Sequence, residues 1–173
     1  MLNEEPLKRI TVKDLALACE INRNAFYYYY ADIYVLLTEI FETNLQWIIQ
    51  EFERSHSWEE TFVKAAEFAL ENKRAIYHVY DSIQQEELLQ FINDVAGNLM
   101  IAYVKKENET IQASKEDAAL IASFYQHALS GLVVSWLRNN MQEEPREVVE
   151  RIGYLFDGNI AISLKRSKDQ HNI

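Results

Sequence analysis

The sequence predicts an all-α protein, with a small N-terminal head on a larger helical body. Three observations carry this. The 173 residues include only 2 prolines and 4 glycines, and no glycine precedes Gly97, so little interrupts a helix. Apolar residues recur three and four apart over long stretches, as a buried helix face requires. Thr, Asn, Asp or Ser stands where most of those stretches begin, as helix N-caps do. Hydrophobic content of 49% and aromatic content of 12% can fill a core.

In chain order, Pro6 allows at most a short turn near the start. Thr11, with Asp14 three residues on, opens a helix carrying Leu15, Ala16 and Ala18. Glu20-Ile21-Asn22 reads as a tight turn, and Asn22 caps a helix over Arg23 to Tyr29. Asp32 caps a long helix to Glu53, striped by Leu36, Leu37, Ile40, Phe41, Ile48 and Phe52. About 20 residues of helix span about 30 Å, enough to couple a head to a body. Ser55-His56-Ser57 breaks it. Ser57 and Glu60 then have capping-box spacing for a helix through Glu71.

Short and long helices are expected over Arg74 to Ile83 and Glu86 to Lys106, with Asn108 to Ala113 as a loop. Ser114 with Asp117 starts a helix from Lys115 to about Met141. Pro145 opens a last one to about Arg166, and Lys165 to Ile173 is expected to fray. No internal repeat, low-complexity segment, signal peptide or apolar run long enough to cross a bilayer is apparent. The single Cys19 excludes an internal disulfide and a cysteine-based zinc cluster.

The pair of short helices from Ile10 onward carries the chemistry. Phe26 and Tyr30 share one face of the second helix by i, i+4 spacing. Asn24, Tyr27 and Tyr28 point away from it, with Arg23 on the flank. Arg and Tyr donate to phosphates, and Arg and Asn read base edges. A helix-turn-helix lays such a second helix in the major groove. An ordinary helical hairpin whose aromatics fill a core has the same spacing.

The stretch ITVKDLALACEINRNAFYYYYADIYVLLTEI resembles the DNA-binding segment of TetR/AcrR-type transcriptional regulators over about thirty positions in fixed register. That family has a Thr-Val-x-Asp-Ile-Ala start, a Gly-Val-Ser/Asn-Arg turn, a Phe-Tyr-x-His-Phe run and an Asp-Lys-x-x-Leu-Leu continuation. The resemblance implies DNA-facing or phosphate-contacting positions at Thr11, Arg23, Asn24, Tyr27, Tyr28 and Tyr29, and core positions at Phe26 and Tyr30. It also implies a head over residues 1–34 and a regulatory, ligand-binding and dimerising body over residues 35–173.

The departures are specific. Glu20 stands where the family has Gly, which costs roughly 1 kcal/mol if the backbone there is left-handed. Tyr29-Tyr30 replaces His-Phe, and Ile33 replaces a Lys that meets phosphate. Only Met1 to Arg9 precedes the match, so the first helix of the head is expected to be largely missing. With little to cover Leu15, Ile21, Phe26 and Tyr30, the head is expected to be held mainly by the long helix and to open locally.

C-terminally, FYQHALSGLVVSWLRNNMQEEPREVVERI (residues 124–152) is similar to the body of a TetR subgroup that includes regulators of dihydroxyacetone kinase operons. The resemblance implies a homodimer in which the last two long helices pair across a two-fold axis. Ala128, Gly131, Val133, Trp136, Ile152 and Phe156 are its candidate interface residues. It also implies a small-molecule effector bound in the body. Tyr77, His78, Tyr80, Phe91, Tyr125 and His127 are candidate pocket residues, since helical bundles bind ligands between helices. Each of them could equally be core.

Charge weighs against tight DNA binding. Residues 1–34 carry four of the 17 basic groups and five of the 27 acidic ones, so the head is near −1 of the total −10. Phosphate neutralisation supplies much of DNA affinity, and weak operator binding is expected. No catalytic constellation appears: the 4 histidines form no metal-ligand pair, and the adjacent glutamates face apart on a helix. We therefore expect no enzyme, no cofactor, no metal and no membrane partner. Two readings remain. One is a cytoplasmic, dimeric DNA-binding regulator (repressor or activator) switched by a small molecule or a partner protein. The other is a protein-interaction module that kept the regulator body and lost a competent head.

Overall fold

A computed structural model describes residues 1–55, 57–156 and 158–171, with side chains to Gln170. Among the described residues there are nine α-helices and no strand: α1 (Val12–Ala18), α2 (Arg23–Tyr29), α3 (Ile33–Ser55), α4 (Trp58–Glu71), α5 (Lys73–Tyr80), α6 (Gln85–Ile111), α7 (Lys115–Arg138), α8 (Pro145–Phe156) and α9 (Asn159–His171). The chain divides into two compact units. Unit 1 comprises Met1–Trp47 and Phe68–Phe91, and unit 2 comprises Ile48–Glu67 and Ile92–Ile173. Residues 1–34 lie wholly in unit 1.

The expected caps form. Thr11 and Asp14 make a reciprocal capping box on α1. Asn22 Oδ1 accepts from Ala25 N at 2.8 Å, and Asp32 Oδ1 accepts from Tyr34 N at 2.8 Å and Val35 N at 3.0 Å. Ser57 Oγ accepts from Glu60 N at 3.1 Å, but Ser57 N donates to Ser55 Oγ at 3.2 Å rather than to Glu60, so the box is not reciprocal.

Several boundaries differ from expectation. The α6 helix does not end at Lys106 but absorbs most of the stretch read as a loop. Residues 107–111 contain no breaker, and the stop comes at Gln112, whose φ is 63°. Asn108 then holds the turn, exchanging side-chain hydrogen bonds with Ala113 N and O. The α5 helix stops at Tyr80 rather than Ile83. The α7 helix stops at Arg138, because Asn140 (φ 56°) and Met141 (φ 49°) turn left-handed. There Asn140 N donates to Leu137 O and Met141 N to Trp136 O, the two bonds of a Schellman stop.

The single helix expected from Pro145 to Arg166 is two. Gly158 (φ 68°) separates α8 from α9, and the tail expected to fray from Lys165 is helical to His171. Ser167 is buried there and donates to Asp117. In unit 2, α9 packs on α7, and Val104, Ala113, Ala122, Ile160 and Leu164 form a buried cluster.

One further expectation is corrected. The 24-residue α7 is long and apolar enough to cross a bilayer by length and composition alone, and only 11% of its most apolar stretch is buried. The cause is an exposed apolar face. Leu120 (69% exposed), Phe124 (68%), Ala128, Gly131 and Leu132 follow helical spacing along one side.

Candidate nucleic-acid interface and body cavity

The turn between α1 and α2 is built by backbone hydrogen bonds. Ile21 N donates to Ala16 O at 2.9 Å and Glu20 N to Leu17 O at 3.2 Å, again a Schellman stop. This requires a left-handed residue after Cys19, and Glu20 takes it with φ 55°. The turn releases the chain straight into the Asn22 cap of α2. Phe26, 5% exposed, roots α2 in unit 1, and Tyr30 donates to Glu39 on α3. That hydrogen bond, with burial second, raises the Tyr30 phenol above its ordinary value.

The rest of α2 is open. Arg23, Asn24, Tyr27, Tyr28 (81% exposed) and Tyr29 are all exposed, and the Tyr28 and Tyr29 rings meet edge-on at 4.8 Å. Thr11 is exposed too, but its hydroxyl is engaged by Asp14 N and Asp14 Oδ2. This bond holds the Asp14 carboxyl below the usual carboxylate range. Leu17 (76% exposed) and Ile21 put apolar surface beside this face.

The segment before α1 is better held than its sequence suggests. Leu7 and Ile10 are buried. Asn3 Nδ2 donates to Asn72 Oδ1 at 3.3 Å, and Asn3 Oδ1 accepts from Ala75 N at 3.1 Å in the first turn of α5. His78 Nδ1 lies 2.7 Å from Leu2 O, and since a carbonyl only accepts, that nitrogen carries the proton. Asn72, the N-cap of α5, makes no side-chain cap of its own. Asn3 therefore caps α5 from elsewhere in the chain.

The six candidate pocket residues are divided between the two units. Tyr77, His78, Tyr80 and Phe91 belong to unit 1, where Tyr77 meets Tyr80 and Phe91 stacks on Phe41. His127, in unit 2, is exposed and bonded to Ser123 O. Tyr125 does line a cavity of about 220 Å³ inside unit 2, together with Trp58, Glu59, Tyr103, Glu107 and Phe156. Burial raises the Tyr125 phenol. Sequence reading missed Trp58, Glu59, Tyr103 and Glu107 because they stand on two helices whose approach no local spacing records.

Of the candidate interface residues, Ala128, Gly131 and Phe156 are exposed, while Val133, Trp136 and Ile152 are half-buried. Trp136 Nε1 donates to Glu143 O at 2.9 Å, pinning the α7–α8 turn. Ile152 lines the cavity. Tyr154, Leu155 and Ile162 are exposed apolar neighbours in sequence that were not among the candidates.

A short capped helix with an open polar face thus follows a left-handed turn in an all-α chain. Residues 56–158 match a family profile of the TetR type described as a transcriptional regulator C-terminal region. The chain belongs to the TetR family of transcriptional regulators. Among solved structures, the dihydroxyacetone kinase operon activator DhaS shares the fold, with a TM-score of 0.76 at 16% identity, over 93% of this chain and 90% of that one. Among curated protein sequences none matches significantly.

Proposed function

We propose that the chain is a dimeric, DNA-binding transcriptional regulator that reads a double-stranded operator with α2 and is controlled by a small-molecule effector or a partner protein. The observation that carries this is the outer face of α2. Arg23, Asn24, Tyr27, Tyr28 and Tyr29 all stand exposed on a helix fixed by its cap and by Phe26, in a chain of a regulator family. Arg23 and the tyrosines hydrogen-bond phosphates, and Asn24 and Arg23 suit base edges. The exposed apolar side of α7 is where a second copy would bury surface, and a two-fold dimer presents two such helices to one symmetric site. Residues 1–34 act as the head and residues 35–173 as the regulatory and dimerising body, in the cytoplasm with the DNA.

The DhaS name records control of an operon by an activator. We extend to this chain the control of an operon, without its sign. Selection from random duplexes at low salt tests the reading. A regulator enriches one sequence with two-fold symmetry. Recovery of no common sequence would sink operator recognition. It would favour the second reading, an interaction module, which the acidic head and the exposed Leu17 support.

A further inference from the structure

We infer that the cavity of unit 2 binds a small organic cation, an amine or quaternary ammonium with a short apolar part. This rests on the reading of the chain as a ligand-controlled regulator and names the ligand's chemistry. The cavity, about 220 Å³, is smaller than the roughly 300–1,000 Å³ of sites for drug-sized ligands. Its walls combine four aromatic side chains, Trp58, Tyr103, Tyr125 and Phe156, with two carboxylates, Glu59 and Glu107. Met100 and Leu129, both buried, supply an apolar floor.

Charge decides the class. Among the described residues no lysine, arginine or histidine lines the cavity, and no basic side chain forms an ion pair with Glu59 or Glu107. Among the described residues Glu59 has one hydrogen-bond partner, the neutral Ser57 hydroxyl, which donates to Oε2 at 2.9 Å. Gly153 leaves the space beside its other oxygen open, since a methyl group there would stand 3.8 Å from Oε1. Carboxylates lining a low-dielectric cleft focus a negative potential into it, and aromatic faces attract cations, with quaternary ammonium the best-attested ligand of aromatic cages. An anion would meet the two carboxylates. A neutral ligand would gain from the floor but not from the acidic side.

Calorimetric titration of the full chain with benzyltrimethylammonium and with neopentylbenzene, its neutral isostere, tests this. The cation should bind and the isostere should not. Glu59→Gln and Glu107→Gln, which keep size and hydrogen bonding, should each weaken the cation about fivefold or more, with circular dichroism confirming that both variants fold. Equal binding of cation and isostere, or no binding of the cation, overturns the inference. Duplex binding and mass are measured on the same samples. A dimer that binds DNA but ignores the cation refutes this inference alone, whereas loss of both DNA binding and dimerisation refutes the regulator reading.

Discussion

Glu20 shows how one residue can set the cost of a fold and a function together. Its left-handed backbone closes α1 and aims α2, and a side chain there costs about 1 kcal/mol relative to glycine. Glu20→Gly should therefore stabilise the chain by about 1 kcal/mol, read as a raised urea midpoint at constant slope. It should also tighten duplex binding by removing a negative charge. A midpoint at or below that of the wild type would refute the strain. Glu51 makes a second residue-scale prediction. A hydrogen bond from Lys64, then the charge and hydrogen bond of Arg54, hold its carboxyl below the ordinary value against the opposing effect of burial. A depressed folded pKa stabilises above the unfolded value and loses that stability as pH falls through the folded one. Glu51→Gln should thus destabilise at pH 7, and the difference in Tm should shrink below about pH 4. A difference independent of pH would show that the charge is not its source.

Helices were legible where their start signals are chemical. Thr11, Asn22, Asp32, Ser57 and Ser114 all cap as their positions implied, because an N-cap bond is local. Ends were less legible. Gln112, Asn140 and Met141 stop helices in left-handed conformations that residues other than glycine do not announce. The exposed face of α2 was readable from spacing, whereas the cavity was not, because it depends on which helices meet. The Asn3 cap of α5 lay beyond sequence reading for the same reason, since it joins residues 72 apart. Asn3→Ala should cost about 1 kcal/mol, the ordinary worth of an N-cap, and speed amide exchange in α5. Unchanged exchange there would refute the cap. Even with this tie, α1 and α2 have only 7 residues each. Amides of residues 16–28 should exchange far faster than those of residues 118–137, and equal protection would show that the head does not open locally.

At the scale of the whole molecule, the proposed operator reading calls for a second copy. Leu120, Phe124 and Leu132 leave apolar surface exposed along α7, and a chain of net charge −10 with a nearly neutral head has little to hold it on DNA alone. Gly131 makes the dimer testable. In the single chain a methyl group at Gly131 meets nothing within 4 Å, so Gly131→Leu should fold normally. Against a closely packed partner helix it should weaken association by about 1–3 kcal/mol, seen as a higher dimer dissociation constant in sedimentation. A monomeric wild type at micromolar concentration, or a variant that associates as tightly, would refute this face as the interface. The central claim, that a dimer reads DNA through α2, is tested most directly by the salt dependence of binding to the selected duplex. Each phosphate contact contributes about 0.9 to the slope of log K against log salt, so losing Arg23 from both copies should flatten it by roughly 2. An Arg23→Ala variant with the slope and affinity of the wild type would contradict the account.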